Sequence, residues 1–153
     1  MAALQVKTLR DAVIDEARSW IGTRYVHQAS TRNVGCDCLG LIRGVWRGVY
    51  GQEPLAVPAY SADWSEASRE ERLWKAARQI LLPKKVGLEE PGDVLLFRMR
   101  DSGVAKHLAI AADCDQSPTF IHAYSGHGVI ESSLSLPWRR RIVARFSFPE
   151  RID

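Results

Sequence analysis

Apolar residues recur along the first half of the chain at helical spacing. Ala12, Val13, Ala17, Trp20 and Ile21 place a helix over 11–21, with Gly22 as its stop. Residues 22–36 are glycine-rich and polar and read as a loop. Leu41, Ile42, Val45, Trp46 and Val49 then form an apolar stripe that predicts a helix over 38–50, closed by Gly51. Pro54 and Pro58 make 52–63 irregular. Leu73, Ala76, Ala77, Ile80 and Leu81 give a third amphipathic stripe. Its start is set by the Ser68/Glu71 capping-box spacing or as far back as Trp64, and Pro83 ends it. Glu71 and Lys75 stand four apart in the favourable order.

After Pro91-Gly92 the period changes. Segments 93–99, 107–113, 119–124, 128–132 and 142–148 are short, rich in β-formers and separated by turn residues. Helices first and strands later predict an α+β fold, an antiparallel sheet carrying helices on one side.

The chain has 153 residues, 46% hydrophobic and 25% charged, which suits one globular domain over 1–153. Its longest apolar run, Leu108–Ala112, falls far short of the ~20 residues of a membrane helix, so no membrane insertion is expected. The N-terminal stretch has no apolar core of the secretory type, so no signal peptide is expected. Lys and Arg number 21 against 18 Asp and Glu, and a net charge of +3 suits an acidic polymer without naming one. No nucleic-acid partner is expected. Three cysteines cannot close a disulfide framework and leave at least one free thiol.

One of those thiols stands where chemistry favours it. Cys38 opens the second predicted helix, after Gly35-Cys36-Asp37. Unpaired N–H groups and the positive end of the dipole there favour a thiolate, and can hold an oxyanion during acyl transfer. Gly40 costs up to ~1 kcal/mol against alanine in a helix, so something is expected to approach that turn closely.

A nucleophilic cysteine needs a base. His107 and His122 lie in two predicted strands joined by the turn-like segment 113–118. A hairpin centred between Cys114 and Asp115 sets them opposite each other, on a face with Ala109, Ala111, Phe120 and Tyr124. One imidazole could take the thiol proton while the other orients it. The plainer alternative is two strand histidines with satisfied ring nitrogens. Cys36 and Cys38 with a histidine could bind zinc, but Cys-x-Cys is not a usual structural zinc spacing, so no metal is expected. Cys114 falls in the turn, away from the chemistry. His27 and His127 read as loop residues, Arg139-Arg140-Arg141 as a solvated charge run, and Trp64 as a packing or stacking residue.

These segments resemble the NlpC family of cell-wall cysteine peptidases. The resemblance rests on Ala17-Arg-Ser-Trp-Ile-Gly-Thr-Arg-Tyr25, Gly35-Cys-Asp-Cys-Leu-Gly-Leu41, Gly92-Asp-Val-Leu-Leu-Phe97, His107-Leu-Ala-Ile110 and Phe120-Ile-His-Ala123. It implies a papain-like fold and hydrolysis of peptidoglycan stem peptides, typically at a D-glutamyl–diaminopimelate bond, without a cofactor. It carries the nucleophile onto Cys38, the general base onto His107 and the orienting residue onto His122. Tyr25 matches a tyrosine that lines the family's site, and Asp37 the acidic residue before the nucleophile; both are expected to meet substrate. Leu39 departs from a common serine after the nucleophile, and Arg24 from a common proline.

The segment around Pro58-Ala-Tyr-Ser-Ala-Asp-Trp64 resembles the branch encoded with phage tails and gene transfer agents. That implies tail-tip or baseplate partners, and a protein made in the cytoplasm and carried on a particle to the periplasmic wall. A structural tail-tip protein with the same fold and little activity is the alternative; a thiol hydrolase of a small cytoplasmic amide is a third reading.

Overall fold

A computed structural model describes residues 7–54 and 70–150. Trp64, Ser68 and the segment 58–64 lie outside the described residues, as do the readings placed on them.

Helix α1 spans Leu9–Arg18, two residues earlier than its apolar pattern suggests. Its start is fixed by a reciprocal cap: the Thr8 side chain accepts from the Asp11 N–H at 3.0 Å, and the Asp11 carboxylate accepts from the Thr8 N–H at 3.3 Å. Helix α2 spans Cys38–Tyr50, capped by the Asp37 side chain and ended at Gly51, whose φ of 98° suits glycine. Helix α3 covers Arg72–Ile80. Glu71 is not part of a helical first turn as the capping-box spacing suggested. It stands at the N-cap position without capping, and its carboxylate accepts from the Ala105 N–H at 2.9 Å and from Arg98 at 3.0 Å. A four-residue helix α4, Leu136–Arg139, was not expected.

The loop 22–36 holds a small antiparallel pair, β1 (Ser30–Thr31) with β2 (Gly35–Cys36). The remaining strands are β3 (Leu82–Lys84), β4 (Val94–Arg98), β5 (Ala105–Ala111), β6 (Thr119–Tyr124), β7 (Gly128–Ser133) and β8 (Ile142–Ser147). They form one antiparallel sheet in the order β3-β8-β4-β5-β6-β7. Pro83 sits in β3, an edge strand, where its missing N–H costs nothing to the ladder. The architecture is α+β.

The sheet is buried on both faces. Leu96, Leu108, Ile110 and Ile121 pack with Leu41 and Val45 of α2 on one side. Leu95, Phe97, Ala109, Ala111 and Phe120 pack with Leu134 and Trp138 on the other. Helix α2 reaches its neighbours through glycines four residues apart. A Cβ on Gly40 would fall 1.9 Å from the Ala29 carbonyl oxygen, one on Gly44 2.0 Å from the Trp20 ring, and one on Gly48 2.2 Å from the Glu16 carboxylate carbon. The close approach expected at Gly40 is thus made by backbone.

Strands β5 and β6 pair at Ile110↔Ile121 and Ala111↔Phe120. Carried along the strands, this register sets His122 beside Ala109 rather than beside His107. The turn is centred one residue later than expected, so the slip is two residues. A slip of two preserves the side-chain face, and the two imidazoles still share one.

Candidate active site

Three local devices bring the polar residues together. The first is the cap of α2. Asp37 is buried, and its carboxylate accepts from the Gly40 N–H and from the Gln28 N–H, both at 2.7 Å. One side chain thereby ends the loop and starts the helix at Cys38. The second is a bulge in β5. Phe97 pairs with His107 and Arg98 with Ala105, leaving Lys106 as the extra residue. The bulge turns the strand, so Ala105 packs in the helix-side core while His107 turns to the aromatic face. It also aims the Lys106 carbonyl at the helix start, where the Cys38 thiol donates to it at 3.7 Å.

The third device is an aromatic enclosure. The His107 and His122 rings lie 5.1 Å apart at 76°, with Nε2 of His107 2.8 Å from Nδ1 of His122. Nε2 of His122 meets the Ser132 hydroxyl at 3.0 Å. The Trp138 ring stands 5.9 Å from His107 and 5.3 Å from His122, and Phe97, Phe120 and Tyr124 complete the enclosure.

Cys38 and His107 open onto one cavity of about 140 Å³, lined also by Tyr25, His27, Lys106 and Tyr124. Asp37 reaches the same cavity, but both its oxygens already accept backbone N–H groups. His122 lies behind His107, away from the cavity. Cys36 is buried in β2, and Cys114 stands half-buried at the other end of the β5–β6 hairpin. Among the described residues no group of three His, Cys, Asp or Glu side chains is placed to hold a metal ion. Nor is any described helix long and apolar enough to cross a membrane.

A profile of the NlpC/P60 family matches residues 22–146, from the loop before Tyr25 into β8. The chain belongs to the NlpC/P60 family. It is 28% identical over 134 residues to the Escherichia coli K12 protein named Murein DD-endopeptidase MepS/Murein LD-carboxypeptidase, and the match covers 87% of this chain and 60% of that protein. The chain thus spans about three fifths of that relative's length. Two solved NlpC/P60 structures share the fold. A Bacillus cereus protein superposes with a TM-score of 0.64 at 15% identity, covering 91% of this chain and 40% of that one. A Staphylococcus aureus lipoprotein-like protein gives 0.61 at 18% identity, covering 98% and 44%.

In this NlpC/P60 site the electrostatics differ from the sequence expectation. The helix start favours a thiolate, as do the N–H groups of Leu108, Leu39 and Cys38, but burial outweighs them and pushes the Cys38 thiol up to about 12. Burial, reinforced by His122, takes His107 down to about 3. Burial, reinforced by His127, takes His122 down to about 4. Burial thus works against both the thiolate and the imidazolium in this pair. Burial also raises the Tyr25 hydroxyl to about 12, so it stays a hydrogen-bond donor at neutral pH.

Sequence reasoning missed Ser132, Trp138 and the bulge at Lys106. Ser132 had a signal, since strand alternation puts it on the face of Phe120 and His122. The short helix carrying Trp138 had none.

Proposed function

We propose that this chain is a thiol peptidase acting on peptidoglycan stem peptides, with Cys38 as nucleophile, His107 as general base and His122 as the residue that orients it. The observation that carries the reading is the single cavity onto which Cys38 and His107 open, with His122 bonded to His107 from behind. Nε2 of His107 is engaged by His122, so Nδ1 is the nitrogen that serves the thiol.

The thiol proton passes to Nδ1 of His107 as the sulfur attacks the amide carbonyl carbon. N–H groups at the start of α2 meet the oxyanion of the tetrahedral adduct. The protonated His107 gives its proton to the leaving amine, the C–N bond breaks and a thioester remains. Water, deprotonated by His107, attacks the thioester; the acid departs and the thiol is restored.

The bond proposed is the D-glutamyl–diaminopimelate amide, on the family resemblance. The Escherichia coli relative is named for DD-endopeptidase and LD-carboxypeptidase action, so defined muropeptides carrying each bond form the assay. Cys38→Ala is expected to abolish release of fragments by mass spectrometry while the melting temperature stays within a few degrees. Wild-type turnover in Cys38→Ala would refute the reading, and a folded wild type inert on every muropeptide would favour a structural tail protein. Carriage on a phage-like tail is part of the proposal, supported by the resemblance of segment 58–64. Its absence from purified particles would remove that part and leave the chemistry.

A further inference from the structure

Nε2 of His107, both ring nitrogens of His122 and the Ser132 hydroxyl form one line of hydrogen bonds, at 2.8 Å and 3.0 Å. A neutral imidazole carries one N–H, so each ring has one donor and one acceptor. Two polarities of the line therefore satisfy the same contacts. In one, Ser132 accepts from Nε2–H of His122, Nδ1 of His122 accepts from Nε2–H of His107, and Nδ1 of His107 keeps its lone pair toward the cavity. In the other, Ser132 donates, both rings carry the proton on Nδ1, and His107 has no lone pair for the thiol.

We propose that Ser132 is a positioning residue whose hydroxyl, as the acceptor at the end of this line, selects the polarity in which His107 can act as a base. The inference rests on His107 being the base. His122 is buried, so in the accepting polarity its Nε2–H depends on the Ser132 hydroxyl. Two points favour that polarity. Ser132 is only half-buried, so its own proton can turn toward water. When His107 takes the thiol proton both its nitrogens donate, and the accepting polarity already has Nε2–H aimed at His122. No ring needs to turn or exchange tautomer as the charge arrives.

Removing the hydroxyl leaves His122 Nε2 facing nothing at that end. The ring then relieves the unsatisfied donor by moving its proton to Nδ1, which turns His107 into the non-basic tautomer. In a serine-protease triad the wrong histidine tautomer costs ~10⁴-fold in turnover. Ser132 is one residue further from the nucleophile, so a loss of at least about tenfold in kcat with KM unchanged is expected for Ser132→Ala.

Two-bond ¹H–¹⁵N correlation spectra of the full chain at pH 7 test this directly. Wild type should show His107 and His122 both protonated on Nε2. Ser132→Ala should show His122 moving toward protonation on Nδ1 together with the loss in kcat, and Ser132→Thr should restore both. Wild-type His122 protonated on Nδ1 would overturn the proposal. So would Ser132→Ala with unchanged ring protonation and unchanged kcat. The ring spectra are read on the free protein, so they judge Ser132 even where Cys38→Ala has failed to abolish cleavage.

Discussion

Two buried polar groupings brace the same sheet and are built on opposite principles. At the start of β4, Asp93 is fully buried and held by ions. Its carboxylate accepts from Arg10 at 2.8 Å, from Arg145 at 2.6 Å and from the Glu90 N–H at 2.8 Å, while Arg145 also donates to the Lys85 carbonyl at 2.7 Å. Across β5, β6 and β7, His107, His122 and Ser132 are joined by hydrogen bonds with no carboxylate or guanidinium among them. The Asp93 cluster ties α1, the segment before β4, and β8 into one unit, and moving any proton in it would break several bonds. In the mechanism proposed above, the histidine line takes up the thiol proton without losing a contact. A buried polar group suited to structure is over-satisfied and ionic. One suited to proton transfer is just satisfied and neutral.

Substitutions should separate the two. The largest expected effect is on turnover. His107→Gln keeps a donor toward His122 but loses the base, so kcat/KM for muropeptide cleavage should fall about 10³-fold or more. Its melting temperature should shift by only a few degrees. Asp93→Ala should do the reverse. Removing the shared carboxylate leaves the buried Arg145 uncompensated, and urea unfolding should show a loss of about 3–5 kcal/mol with kcat of the folded fraction retained. An Asp93→Ala protein as stable as wild type would mean that the cluster holds nothing together.

Acid should act through the histidines. Both fold with pKa values below the ordinary 6.5, about 3 for His107 and about 4 for His122, so the unfolded chain binds protons that the folded chain refuses. Their contribution is fully present above about pH 6.5 and is lost as pH falls through 4 toward 3. Denaturation at stepped pH should show this loss in wild type and a smaller one in His107→Gln. An equal loss in both would place the acid sensitivity elsewhere. The smallest effect is expected for Arg145→Lys. The charge beside Asp93 remains, but the bond from Nε to the Lys85 carbonyl goes, costing about 1 kcal/mol by urea unfolding with no change in kcat.

Much of this was legible because the deciding features are local. Gly51 ends α2 in the sequence as it does in space, and runs of β-formers between turn residues marked β4 to β8 within two residues. The pairing of His107 with His122 was right in face and wrong in register. Face depends only on parity, whereas register depends on an irregular turn whose centre no residue in 113–118 fixes. Glu71 shows the opposite failure. Its spacing from Ser68 matched a local cap, but its carboxylate is taken by Arg98 and the Ala105 N–H, partners nearly thirty residues or more away. The thiol chemistry misled for a related reason. A helix start is visible in the sequence, but the burial that outweighs it is made by distant parts of the chain. Helix α4 is too short to show a period, so Trp138 gave no warning of its place against both imidazoles.

The glycines of α2 bear on when the surroundings of Cys38 come into being. A 13-residue helix is marginal in water even with good helix formers. Gly40, Gly44 and Gly48 cost it a further 3 kcal/mol or so against alanine. Cut from the rest of the chain, the stretch that presents Cys38 would be mostly coil. It becomes a helix by docking: the Ala29 carbonyl, the Trp20 ring and Glu16 fill the spaces where side chains would have been. The helix start at Cys38 is thus a product of tertiary assembly. The segment that carries Cys38 therefore takes its helical form from its neighbours rather than from its own sequence.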